Sequence, residues 1–562
     1  MSDRREIRPV IGIDLGTTNC ALAYSEGDVV EPFAIPQLVH AGELREEPLL
    51  PSCLFLEDPP IVGVLAQRNG LENPGLLVSS AKSWLSYGGV DRKAEILPVN
   101  APEGVQQISP VAASSHFLRY LREAWNEKKP DTPFDAHQVL VTVPASFDAV
   151  ARDLTLKAAE NAGYRDIVLL EEPQAAFYSW ISHNSDWREQ VAVGDLILVI
   201  DIGGGTTDFA LISVENDEGQ VALRRIAVGD HILLGGDNID AALAHHVTES
   251  LPKLDTMQFH ALYQHCRQAK ERLLTAGNEE SEVPITVLGR GSSVIGKSMK
   301  AKLTRQALMS ILADGFLPPV TPDEEPQEPP VALMEFGLPY APDAAITRHL
   351  AHFLKRQSAK PTHVLFNGGV FLAQFMRDRI VQILNQWLSR PVTPLVSGDL
   401  MRSVAHGAAY YGLARQGEGV RVRGGVPHSY YIGVEAAAPA VPGRRPPLKA
   451  LTVVPFGMEE GAGYEIKERP FLLSVGKSAE FRFFQSSERT EDAPGSVIDE
   501  IDSSFEELAP IEALLPSDVT ESVRVTLESV VTETGLLELW FLARDGRRWK
   551  LEFNVRPKRR PG

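Results

Sequence analysis

Two short stretches of the sequence carry residue types suited to holding phosphate. In Ile11-Gly12-Ile13-Asp14-Leu15-Gly16-Thr17-Thr18-Asn19 an apolar run reaches an aspartate and then a glycine and threonine turn. The same order recurs in Val199-Ile200-Asp201-Ile202-Gly203-Gly204-Gly205-Thr206-Thr207-Asp208. Each stretch reads as a β-hairpin. Glycine permits positive φ and lets backbone N–H groups approach an anion, while threonine hydroxyls add donors. An aspartate at the strand end suits a hydrated Mg²⁺, which prefers few carboxylates, several waters and phosphate oxygens. Two such hairpins facing each other would clamp a polyphosphate. No GxxxxGK[ST] loop occurs and no GxGxxG opens a helix, so other nucleotide folds have no claim.

The elements around these hairpins read as alternating strands and helices from Ile11 to about Arg415, the pattern of α/β layers. Val139 to Val143 and Leu196 to Ile200 are continuous enough for buried central strands. Between them Asp148 is an expected N-cap, Val150, Leu154 and Ala158 share a helix face, and Gly163 supplies the stop. Leu317 to Pro330 is rich in proline and acid, and is expected as an exposed, extended insertion. Glycine-rich Gln416 to Gly425 marks the main boundary, after which strand alternation dominates. Asp545-Gly546 is a hairpin turn signal there. Phe481, Phe483 and Phe484 are sheet core by default, or the lining of a peptide groove. His349 and His352 share a helix face without a completing ligand nearby. Arg556 to Arg560 form a basic stub, expected as a solvated tail. The expected division is residues 1–190 and 191–415 as two lobes, 416–425 as a linker, and 426–562 as a β-rich domain.

Composition bounds the setting. At 562 residues with 44% hydrophobic and 23% charged residues, the chain is large enough for several cooperating units with ample cores. A formal charge of −19 repels nucleic acid and anionic lipid surfaces, so neither is an expected partner. Cys20, Cys53 and Cys266 form no CxxC pair, which fits a reducing compartment. No apolar run approaches the roughly 18 residues a membrane helix needs, and Met1 to Val10 is unlike a signal peptide. A cytoplasmic location is expected.

The two hairpins resemble the phosphate loops of the actin-like ATPase superfamily, and in wording those of the DnaK-like seventy-kilodalton heat-shock chaperones. Further segments agree in order: Val143-Pro144-Ala145-Ser146-Phe147, Glu172-Pro173-Gln174-Ala175-Ala176, Leu234-Gly235-Gly236-Asp237, Asn367-Gly368-Gly369 and Val404-Ala405-His406-Gly407-Ala408-Ala409. The resemblance implies a two-lobed actin-like (ribonuclease-H-like) α/β ATPase followed by a mostly antiparallel β domain. It implies ATP or ADP with Mg²⁺, the metal held by Asp14 and Asp201 through water in the family's manner. Gly16, Thr17, Thr18, Asn19, Gly203, Gly204 and Gly205 would cradle phosphates, with Thr206 among the catalytic residues. Lys82, in Ser80-Ala81-Lys82-Ser83-Trp84-Leu85, would reach the γ-phosphate and attacking water; Glu172 would orient water or metal. Gly235, Gly236, Lys270, Gly368 and Gly369 would serve the nucleoside side. Such positioning and charge neutralisation suffice for a slow ATPase.

The sequence also departs from that family. Arg267 stands where a glutamate is usual, and Val370 and Leu372 replace a polar residue and an arginine, so base preference or affinity is expected to differ. The linker holds only two valines, which puts interdomain coupling in question, and no amphipathic helical lid follows Phe553. The leading expectation is a monomeric ATP-dependent chaperone that binds unfolded or extended polypeptide through its β domain, with co-chaperones. The alternatives are a switch for one dedicated protein partner and a small-molecule kinase of the same superfamily.

Overall fold

The structure is a computed structural model. It describes residues 8–551 apart from 100, 166, 218–219, 276, 288–297, 328–337, 396–397, 419–421, 424–425, 427, 437–445, 460, 477, 509–510, 515–520 and 533–536. The basic stub therefore lies outside the described residues.

The internal echo in the sequence corresponds to a duplicated topology. In lobe I, β1 (Val10–Leu15), β2 (Asn19–Glu26) and β3 (Val29–Pro32) form an antiparallel meander, and β4 (Gln138–Val143) and β5 (Ile167–Glu171) continue the sheet in parallel on the other side of β1. In lobe II, β6 (Leu196–Ile202), β7 (Thr207–Asp217) and β8 (Gln220–Val228) form the meander, while β9 (His363–Asn367) and β10 (Thr393–Leu395) extend from β6. The strand orders are β5-β4-β1-β2-β3 and β10-β9-β6-β7-β8. Strands β1, β4, β5, β6 and β9 are buried along nearly their whole length, as continuous apolar runs covered on both faces require.

Helices supply that cover. Asp148 accepts a hydrogen bond from Ala151 N at 2.7 Å and starts the helix Ala149–Asn161, which ends before Gly163 at φ 89. With Pro110–Lys128 it buries one face of the lobe I sheet. The helices Glu172–His183 and Ser403–Leu413 lie on the other face, and they cross in close contact: a Cβ at Gly407 would fall 1.7 Å from the carbonyl oxygen of Ala175. No larger residue fits that crossing without moving backbone.

The insertion expected to be exposed is partly pinned to lobe II. Leu317 is buried, Trp387 donates to the Val320 carbonyl at 2.8 Å, and Thr347 donates to that of Pro318 at 2.9 Å. Glu324 pairs with Arg348, and Glu325 with Lys355 and His352, so proline and acid here make a strap rather than a free loop. Residues 328–330 lie outside the described residues.

The segment read as a linker is also anchored. The Gln416 amide donates to the Arg8 carbonyl at 2.9 Å, and Val422–Arg423 adds to β8 as a parallel strand. The rest of the chain forms two sheets. Ser429–Glu435, Leu448–Val454 and Phe483–Ser486 are the centre of one; Gly463–Val475, Glu521–Val531, Leu537–Ala543 and Arg548–Leu551 make the other. They share a core that includes Ile432, Leu451, Val525, Leu527 and Phe541. Gly546, at φ 90, makes the expected last hairpin. Phe483 lies in this core and Phe484 packs with Tyr431 on the opposite face, so these two are sheet core and line no groove.

This β unit is seated on the lobes. Ala149 of lobe I belongs to its core, Arg356 of lobe II reaches Glu488 at 2.7 Å, and buried His428 faces both Arg152 and Arg225. Those two guanidiniums clasp Glu171 from either lobe, at 2.8 Å and 2.7 Å. Among the described residues no helix is long and apolar enough to cross a membrane.

Candidate functional site

A cavity of about 630 Å³ opens between the lobes where the two hairpin turns meet. Asp14 and Asp201 enter it from β1 and β6, and Lys82 and Glu172 from the first turns of the helices Ala81–Ser86 and Glu172–His183. The turns approach so closely that a Cβ on Gly204 would lie 2.1 Å from Thr18 Oγ1. Only glycine leaves room there. The Thr18 hydroxyl is buried without a hydrogen-bond partner among the described residues, a free donor between the two turns.

Around the two aspartates the electrostatics are those of carboxylates gathered about the buried ammonium of Lys82. Lys82 donates to Glu172 Oε1, and both side chains are largely buried. Burial alone would lower the Lys82 pKa, but Glu172 and Asp14 outweigh it and hold the ammonium charged. Burial pushes the Asp14 carboxyl up to about 7; Lys82 opposes this and Glu172 adds to it. Asp201 is pushed well above its usual value, first by burial, then by Glu172, while a hydrogen bond from Asn367 opposes. Asp208 stays below the usual range despite burial, because His231 and Ser146 hold its charge. Ser146 of lobe I donates to Asp208 of lobe II at 2.6 Å, tying the lobes beside the cavity.

The register of each sheet explains how the aspartates are aimed. Thr142 lies opposite Asp14 on β4 and donates to it at 3.3 Å. Asn367 lies opposite Asp201 on β9 and donates to it at 2.6 Å. Asn367 in turn accepts from Ser403. The same position on the parallel neighbour steadies the carboxylate in both lobes.

Residues 10–322, more than half the chain, match the family model described as Hsp70 protein. The chain belongs to the Hsp70 family. Its two lobes are that family's actin-like ATPase fold. Relatives named chaperone protein HscA homolog include those of Bordetella pertussis, 31% identical over 308 residues, and Shewanella loihica, 32% identical over 280 residues. These alignments cover 52% of this chain and 45% of the first relative, and 47% and 42% for the second. The Pseudomonas aeruginosa relative is 32% identical over 286 residues, 48% of this chain and 42% of its own. The chain thus spans about half the length of the curated relatives it matches.

Gly16, Thr17, Thr18, Asn19, Gly203, Gly204, Thr206, Gly236, Lys270, Gly368 and Gly369 all line the cavity. Gly205 and Gly235 stand behind the wall: a Cβ on Gly205 would meet Thr17, and one on Gly235 would meet the Gly203 and Gly204 carbonyls. Lys270 is paired with Asp240 at 2.7 Å. The roles of Thr142 and Asn367 were not legible in the sequence, because they depend on register between strands far apart in the chain.

The donor set fits a hydrated divalent cation. Two buried carboxylates with raised pKa values share the cavity, and among the described residues no three His, Cys, Asp or Glu side chains converge to cage a metal directly. Such a site suits a cation kept in water and phosphate oxygens, the preference of magnesium.

Proposed function

We propose that the chain is an ATP-dependent chaperone of the DnaK-like type, hydrolysing ATP slowly between its lobes and holding extended polypeptide through its C-terminal β domain. The observation that carries the ATPase reading is the meeting of Asp14, Lys82, Glu172 and Asp201 with two glycine and threonine turns in one cavity. Asp14 and Asp201 would hold Mg²⁺ through water, and the cation would neutralise charge between these carboxylates and the phosphates. Backbone N–H groups of the turns, with the Thr17, Thr18 and Thr206 hydroxyls, donate to phosphate oxygens. Lys82 lies where its ammonium offsets charge that grows on the γ-phosphate and leaving group, and Glu172 beside it orients the attacking water. No covalent nucleophile is needed.

Coupling to the β domain has a physical route. Glu171, held by Arg152 and Arg225 under His428, is the covalent neighbour of Glu172 in the cavity. A shift of either lobe around the nucleotide moves one guanidinium of that clasp. This supports communication despite the valine-poor linker, and with it an unfolded or extended polypeptide as client, with co-chaperones as further partners.

Single-turnover hydrolysis by the purified chain with Mg²⁺, with and without a panel of unfolded peptides, tests the reading. Hydrolysis abolished by Asp201→Asn and accelerated by peptide is expected. Turnover unchanged in that variant would overturn the phosphate assignment, and turnover indifferent to every peptide would point instead to a switch for one dedicated partner.

A further inference from the structure

Beside the second glycine and threonine turn, four side chains that do not line the cavity meet across the seam between the lobes. Ser146 and Phe147 come from lobe I, between β4 and the helix Ala149–Asn161; Asp208 and His231 come from lobe II. Ser146 donates to Asp208 Oδ1 at 2.6 Å, and His231 Nδ1 lies 3.1 Å from that oxygen and 3.1 Å from Ser146 Oγ. A carboxylate oxygen only accepts, so Nδ1 carries the proton that bonds it, and the Ser146 hydroxyl, its own proton given to Asp208, accepts from the ring as well. The Phe147 and His231 rings meet edge-on at 5.7 Å. The turn that carries His231 is fixed to β7 on both sides of Asp208: Gly229 N donates to the Phe209 carbonyl at 2.8 Å, and Thr207 N to that of Ile232 at 2.9 Å. Asp208 lies opposite Asp201 in the register of β6 and β7, so the cluster borders the strand that aims one of the two cavity aspartates.

We infer that Ser146 and His231 are positioning residues that clasp Asp208 across the lobe seam, and that this clasp, by holding the lobes closed, sets how fast nucleotide leaves the cavity. The inference rests on the nucleotide reading above. Lys82 and Glu172 reach the cavity from lobe I and Asp201 from lobe II, so a ligand held by both sets is freed as the lobes part. Parting takes Ser146 away from Asp208, whose charge His231 and Ser146 sustain despite burial. A hydrogen bond to an ionised group is stronger than one between neutral groups, and its loss shifts the balance between open and closed lobes by about tenfold. Release passes through the minor open state, whereas hydrolysis proceeds in the major closed one. Weakening the clasp therefore raises the first rate and leaves the second nearly unchanged.

Stopped-flow release of a fluorescent ADP from the full chain with Mg²⁺, beside single-turnover hydrolysis of prebound ATP, tests this. Ser146→Ala and His231→Phe, the second keeping a ring on Phe147, should each speed release about tenfold while hydrolysis changes by less than about threefold. His231→Asn, whose amide N–H can stand in for Nδ1, should return release to within about threefold of the native rate. Ser146→Ala combined with His231→Phe should release no more than about threefold faster than the faster single variant, because both remove the same clasp. Release moved less than about threefold by either single substitution overturns the inference while leaving the nucleotide site intact. A hydrolytic step slowed about tenfold also overturns it, by placing the two residues in the chemistry rather than in closure. A combined variant about a hundredfold faster than native overturns it as well, since the two contacts would then act independently. A native chain that binds neither ADP nor ATP would overturn the nucleotide reading, and the inference with it.

Discussion

Asp14 and Asp201 each sit one residue from the end of the first strand of their lobe, each opposite a polar residue on the parallel neighbour. Their surroundings then diverge. Asp14 shares its pocket with Lys82, whose charge opposes the effect of burial; what opposes it at Asp201 is an Asn367 bond of 2.6 Å, against 3.3 Å from Thr142 to Asp14. The Asp14 carboxyl is raised to about 7, and Asp201 is raised well above its usual range. The two lobes therefore supply similar glycine and threonine turns, each with an aspartate at its strand end, while the Lys82–Glu172 pair comes from lobe I alone. Symmetric backbone carries an asymmetric site.

Four substitutions or conditions sharpen that contrast. Lys82→Met removes the buried cation of lobe I and should lower single-turnover hydrolysis by about 10²–10³-fold, as loss of an electrostatic stabiliser does. A fall of less than tenfold, seen in the same rapid-quench assay, would place the charge-stabilising role elsewhere. Asn367→Ala frees Asp201 and should cost about tenfold in turnover, with the melting temperature recorded as a control for folding.

His428 faces cations of both lobes, and burial, with Arg152 and Arg225 adding, lowers its pKa to about 3. Protonation therefore favours the state in which it is released to water. The contact is at full strength above about pH 6.5 and weakens as pH falls toward 3, by about 1 kcal/mol between pH 7.5 and 6. Hydrogen exchange across Ser429–Glu435 should quicken over that interval in the native chain and lose its pH response in His428→Leu, after correction for intrinsic exchange. Thr142→Val is the mildest change, about twofold or less in turnover, since its bond is long and Lys82 still holds Asp14. If Thr142→Val cost more than Asn367→Ala, the asymmetry between the aspartates would be reversed.

The hairpins were legible because their chemistry is local: glycine, threonine and aspartate within ten residues dictate both the turn and its use. The helix Ala149–Asn161 was legible for the same reason, through its cap and stop. The pairing of Lys82 with Glu172 spans distant positions, so the resemblance placed them at one site while composition and spacing were silent. Thr142 and Asn367 depend on register between strands far apart in sequence, which no local pattern encodes. The segment Leu317 to Gln327 is exposed over most of its length, as expected, but its pinning to lobe II was not legible, because proline and acid look the same whether they face water or pair with Arg348 and Lys355. The seat of the β domain was invisible for a related reason, as a single His428 gives no sign that two guanidiniums and a glutamate from both lobes await it.

That both hairpins serve one shared Mg·ATP is the central claim, and a double-mutant cycle on Asp14→Asn and Asp201→Asn, read as Mg²⁺-dependent ATP affinity by calorimetry, tests it most directly. If the two carboxylates hold one hydrated cation, either substitution removes most of the Mg²⁺-dependent affinity and the double variant loses little more, giving a coupling energy above about 1 kcal/mol. Losses that simply add would mean that the two aspartates act on separate ligands and that the lobes do not share a site.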